Sequence, residues 1–259
     1  SDEWSPIPAA AYDMDIDMVP SSTSGTSWGP ALRYAVWARY DGSGDTTADV
    51  ITSSNLSRNF NYYCPAEAKK LQTWTTPSPF ETYVNTLTPT GNTYHDIGMI
   101  WGARFISPTG IFASENATTP SGQAIQRHIV FMTDGDTNAC HDDYSAHGVD
   151  WWDRRQTTYA PVDRSNSGGS CGDSDQARII NARLSGLCTA IKNKNITLWV
   201  ISFGTGVTST ARTRLQNCAS SPNATGVANT HFFDASNTAS LMTAFQQIAA
   251  AISDLRLTS

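Results

Sequence analysis

Residues 127–137, RHIVFMTDGDT, limit what this chain can fold into more than any other stretch. Four apolar residues, Ile129, Val130, Phe131 and Met132, run straight into a polar turn led by Asp134 and Gly135. A continuous apolar run bounded by turn residues reads as a strand buried on both faces, the kind found inside parallel sheets. A carboxylate just past the carboxyl end of such a strand stands where open α/β sheets bind ligands. Residues 196–206, ITLWVISFGTG, repeat the pattern of apolar strand and glycine turn.

Composition narrows the class. A chain of 259 residues is long enough to bury a substantial core. No run of apolar residues is long enough to span a membrane. The first ten residues, SDEWSPIPAA, lack the basic start and apolar centre of a signal peptide, so an exported protein would have lost that segment or carry it upstream. A net charge of −6, with lysine only at 69, 70, 192 and 194, argues against nucleic acid as a partner. Abundant Ser, Thr and Asn suit a periplasmic, cell-surface or extracellular protein.

The five cysteines point the same way. None has the spacing of a zinc or redox pair, so disulfides are the better reading. Cys188 with Cys218 and Cys140 with Cys171 are the expected pairs, the second closing a polar loop over 138–174. A loop of about thirty residues gains roughly 3–4 kcal/mol from such a bridge in the chain-entropy model. Cys64 is left over, either as a buried thiol or with its partner in another chain.

Residues 1–63 are rich in Ser, Thr, Pro and Asp and read as an irregular insertion or linker, with Ala31–Tyr40 as the one element candidate. From residue 79 the signals become regular. Helices are expected over Phe80–Leu87 and over Thr93–Ile106, the latter capped by Asn92 or Thr93 and burying Ile97, Ile100, Trp101 and Phe105. A loop spans 107–124 and a strand 127–133. Further on come a helix (Asp175–Lys192), a strand (Thr197–Phe203), a short helix (Thr208–Cys218) and a brief strand (His231–Asp234). The last helix, capped by Asn237, presents Leu241, Phe245, Ile248, Ile252 and Leu255 on one face. Strands alternating with helices imply an α/β fold: a doubly wound, mainly parallel sheet with helices on both faces.

The details make a resemblance specific. Cys64-Pro65, residues 87–93 (LTPTGNT), Gly98 with residues 101–104 (WGAR), and Ser107-Pro108 resemble the middle of TadG-like proteins. These are envelope proteins of Tad (Flp) pilus assembly that carry a von Willebrand factor type A (VWA) domain. Residues 129–135, Leu187-Cys188, residues 217–220 (NCAS), 232–235 (FFDA) and the stretch from Ala244 to Thr258 extend the likeness over about 62–259. The resemblance implies that 64–259 is the C-terminal part of a VWA domain lacking its first strands.

The resemblance also implies a site. VWA domains hold a divalent cation, Mg²⁺ or Ca²⁺, at the carboxyl edge of the sheet, with oxygen ligands and one position left for an acidic group from a partner. The family draws those oxygens from an Asp-x-Ser-x-Ser turn, a loop threonine and a later aspartate. Here Thr93 matches the threonine and Asp134 the aspartate, whereas no Asp-x-Ser-x-Ser precedes them after an apolar strand (the one match, 163–167, lies in the polar loop beyond both), so the ligand set is incomplete. The strand at 129–133 would lack its usual neighbour, and an apolar edge left open is an aggregation site. The expected partner is therefore a polypeptide supplying the missing strands and ligands, and with it a pilus or surface component. The rival expectation is that residues 1–63 cover that edge, leaving a self-contained structural domain without a functional metal site.

Other patterns carry competing readings. Asp134, Asp136 and Asn138 match the opening of a calcium loop, but Ala139 and Ser145 stand where Gly and Glu belong, leaving Asp136 as an outer-sphere group. His141 and His147 read as a metal cluster or a solvated loop, and Trp151-Trp152 as a contact surface or loop packing. Asn55, Asn116, Asn195 and Asn223 fit the glycosylation pattern, as chance allows in such a composition. A metal-dependent hydrolase on Asp134, Asp136 and His141 lacks a nucleophile and base from separate elements. The expectation is a non-enzymatic, cation-dependent binding or assembly protein.

Overall fold

The computed structural model describes residues 14–17, 19, 66–89, 91–116, 118–119, 122–139, 144–145, 148–149, 175–220 and 230–257. In chain order the elements are α1 (Pro77–Val84), α2 (His95–Ile106), α3 (Ala113–Asn116), β1 (His128–Gly135), a small antiparallel pair β2 (Tyr144–Ser145) and β3 (Gly148–Val149), α4 (Asp175–Asn193), β4 (Thr197–Gly206), α5 (Ser209–Cys218), β5 (Phe232–Ala235) and α6 (Thr238–Leu257). Strands β1, β4 and β5 form one all-parallel sheet with β4 in the middle. The α/β architecture read from the sequence is the one the chain adopts.

Register explains the two-layer core. Pairing of Ile129 with Leu198 and of Val200 with both Phe131 and Phe232 lines up one apolar face, which packs against α2, α4 and α5. The alternate residues Trp199, Ile201 and Phe233 meet Leu241, Ala244 and Ile248 of α6 on the other face. Strand β4 is buried on both sides, as an uninterrupted apolar strand must be.

Strand β1 departs from that expectation. Val130 is 40% and Met132 49% exposed. The reason is position: among the described residues β1 has β4 as its one sheet neighbour, and the α6 cluster covers β4 and β5 without reaching it.

Two helix faces also differ. Helix α2 starts at His95, with Tyr94 at the cap position and no side-chain cap. It buries Asp96, Met99, Ile100 and Ala103, while Ile97, Trp101 and Phe105 are half-buried. A charged residue occupies a core position because Arg183 of α4 meets it there. Helix α6 is capped as expected, Ser240 N donating to Asn237 Oδ1 at 3.0 Å. It meets the sheet through Ala244 and Ile248, so Phe245 turns to the flank and is 41% exposed. Helix α1 begins at Pro77, earlier than expected, and buries none of its residues. The loop at 107–124 contains α3.

Met14 and Ile16 belong to the core, 5% and 2% exposed, so part of the irregular region is built into the folded unit. Cys188 and Cys218 form the expected disulfide, joining α4 to α5 with Cα atoms 5.1 Å apart. Ala31–Tyr40, Cys64, Cys140, Cys171, His141, His147, Trp151 and Trp152 lie outside the described residues. Among the described residues no helix is long and apolar enough to cross a membrane.

Candidate functional site

Asp134 stands near the carboxyl end of β1 with its side chain exposed. The ends of β1 and β4 close tightly beneath it: a Cβ on Gly206 would sit 2.6 Å from the Asp134 carbonyl oxygen, so only glycine fits there. Thr93 is laced to the turn beyond β1. Its N–H donates to Asn138 O at 2.8 Å, and Asn138 N–H donates to Thr93 O at 3.2 Å. The fold thus brings both sequence-predicted ligands to the same end of the sheet. Neither the Thr93 hydroxyl nor the Asp134 carboxylate has a hydrogen-bond partner among the described residues.

Their chemistry suits a hard cation, which takes oxygen ligands. Their number does not: Mg²⁺ and Ca²⁺ require about six to eight oxygens. No cluster of three or more acidic, His or Cys side chains stands ready among the described residues. Thr93 and Asp134 would hold only part of an ion's shell, with water or another polypeptide completing it.

Asp136 has a different occupation. Its carboxylate accepts from Thr208 N at 2.8 Å and from Thr208 Oγ1 at 2.6 Å. Thr208 is the N-cap of α5, its Oγ1 accepting in turn from Ala211 N at 3.2 Å. A carboxylate therefore already fills the helix N-terminus, the place where an α/β protein would seat a phosphate. Both Asp136 carboxylate oxygens thus anchor the α5 cap.

Beneath the edge lies a network that sequence reading missed. His95 Nδ1 is 3.0 Å from Thr137 Oγ1, and its Nε2 is 2.9 Å from Thr133 Oγ1. Each hydroxyl also has a second partner: Thr137 Oγ1 donates to Asn181 Oδ1 at 2.6 Å, and Thr133 Oγ1 donates to Gly135 O at 3.0 Å. Burial is the main reason that the His95 pKa falls from 6.5 to about 4; the Arg214 charge lowers it further, while Asp96 and Asp136 oppose. The His95 imidazole beneath the site is neutral at physiological pH. Arg214 loses basicity through burial, with Asp136 partly restoring it.

The only sequence signal for this network is a pair of threonines, Thr133 and Thr137, bracketing the Asp-Gly-Asp turn. Their common partner His95 comes from another element, and nothing local announces it. Among the glycosylation matches, Asn116 is buried and its Nδ2 donates to Phe105 O at 2.6 Å, which leaves no room for a glycan. Asn195 is exposed at a left-handed turn with φ 56°. Asn55 and Asn223 lie outside the described residues.

Comparison of the chain with protein-family models, with curated proteins and with solved structures finds no match.

Proposed function

We propose that this chain is a non-enzymatic binding module, resembling the VWA domains of TadG-like envelope proteins, that works by completing its sheet with a partner polypeptide. One observation carries the reading: among the described residues β1 ends the sheet with Val130 and Met132 exposed, and beside them stands the Asp134 carboxylate, which accepts from none of those residues. An apolar parallel strand of this kind normally has neighbours on both sides. A partner strand laid along β1 would cover those side chains and bring further oxygens to the end where Asp134 and Thr93 lie. A divalent cation would then bridge the two polypeptides. The Cys188–Cys218 disulfide fits an oxidising compartment, such as the periplasm or cell surface. Surface attachment or pilus biogenesis is the setting that the family likeness suggests.

The test is photo-crosslinking from position 130 in native envelope material, followed by mass spectrometry. An adduct with a different polypeptide that carries Asp-x-Ser-x-Ser directly after an apolar strand, lost on chelation, supports the proposal. An adduct only with this chain's own N-terminal residues overturns it, and a self-contained domain takes its place.

A further inference from the structure

We infer that the amino-terminal pole of the domain, opposite Asp134, is a peptide-recognition site whose ligand is the Met14–Asp17 segment, held in cis. Side chains alternate in this segment: Met14 and Ile16 are buried, at 5% and 2% exposure, among residues of the core that α2 and α4 share. The two aspartates between and after them do different work. Asp15 Oδ1 accepts from Asp17 N at 2.9 Å and fixes the local turn. Asp17 is the hook. Its Oδ1 accepts from Ser107 Oγ at 2.5 Å, and its Oδ2 pairs with Lys194.

The receiving side has hydrogen bonds of its own. Ser107 is fully buried, and its hydroxyl oxygen accepts from Gly110 N at 3.0 Å and Thr109 N at 3.2 Å. Both amides point into that oxygen, so its proton is directed outward, to Asp17. Arg104, also buried, reaches the Asp15 carbonyl at 3.4 Å. Gly110 admits the segment's backbone: a Cβ there would sit 3.0 Å from Ile16 O. An apolar socket, a hydroxyl hook, a lysine and a glycine gap together select a short peptide with isoleucine followed by aspartate. Nothing in the site requires that the peptide be covalently attached. Residues 18–65 separate the ligand from the next continuous described stretch.

The experiment uses the full chain and a synthetic peptide of residues 11–19. Lys194→Asp and Asp17→Lys, each exposed enough to leave the fold intact, should each lower the thermal midpoint. The double variant, with the charges exchanged, should regain only the part owed to the ion pair, because a lysine at 17 cannot accept from Ser107 Oγ. In an Ile16→Asp chain the peptide should bind saturably and raise the midpoint, while an Ile-to-Asp peptide should not. Additive losses in the charge swap overturn the hook. Failure of the peptide to bind at several millimolar overturns the recognition site. Neither result bears on the partner strand at β1.

Discussion

Arg183 Nε donates to Asp96 Oδ2 at 2.6 Å, with both side chains all but sealed from solvent at 1% and 2% exposure. The pair ties α4 to α2 in the layer that also carries the floor of the candidate site. Two charges taken out of water recover little net stability from each other, but removal of one leaves the other stranded. Asp96→Ala should therefore cost about 3–5 kcal/mol in urea unfolding. Replacing both residues with leucine and methionine should recover most of that loss. A single variant that unfolds at the wild-type midpoint would contradict this account.

The same pair shows what the sequence could and could not tell. Strand β4 was legible because Leu198, Trp199, Val200 and Ile201 are a local signal, and Asn237 announced the start of α6 equally locally. Helix α2 was legible in extent and misread in face. Periodicity favours Trp101 and Phe105 over an aspartate, and only the arrival of Arg183, eighty-seven residues on, makes Asp96 a core residue. Thr93 and Asp134 stand out only through the residue types of the family pattern, and the Thr93–Asn138 bridge ties the loop of one to the turn that follows the other. His95 and Asn181 were invisible for the same reason as Arg183: their partners are set by how helices cross the sheet.

His95 makes stability depend on pH. Its pKa in the folded chain is about 4, against 6.5 when exposed, because burial disfavours the imidazolium. Above pH 6.5 neither state binds the proton and the contribution is constant. As pH falls from 6.5 to 4 the unfolded chain takes up a proton that the folded chain refuses. Stability should fall by about 3 kcal/mol over that window and level off below it. His95→Gln, which cannot titrate, should flatten the slope, and the difference between the two pH profiles isolates His95 from the carboxylates. Parallel profiles would show that the imidazole is protonated in the folded state.

The disulfide should matter for stability and leave the candidate site in place. Cys188 and Cys218 are 30 residues apart in sequence and both nearly buried. Closing such a loop restricts the unfolded chain, which corresponds to roughly 3–4 kcal/mol. Lys192 Nζ already donates to Asn217 O at 2.9 Å, so the helices α4 and α5 keep a contact after reduction. The Cys188→Ala, Cys218→Ala chain should show a lower thermal midpoint with an unchanged far-ultraviolet circular dichroism spectrum. Loss of helical signal at low temperature would mean that the bridge determines the fold itself.

Two aspartates separated by a single glycine should respond oppositely to the same change. The Asp136 carboxylate takes both the N–H and the hydroxyl of Thr208 and so secures the start of α5. Asp136→Asn keeps one acceptor oxygen but loses the charge at the helix N-terminus, and should cost about 1–2 kcal/mol. Asp134 is exposed and accepts nothing among the described residues, so Asp134→Asn should leave the unfolding midpoint within about 0.5 kcal/mol of wild type. If the proposed binding role holds, Asp134→Asn should still abolish the cation-dependent adduct formed from position 130, whereas Asp136→Asn should preserve it. Denaturation and crosslinking on the same two preparations decide the matter. A destabilised Asp134→Asn chain, or one that crosslinks as wild type does, would remove Asp134 from the proposed site.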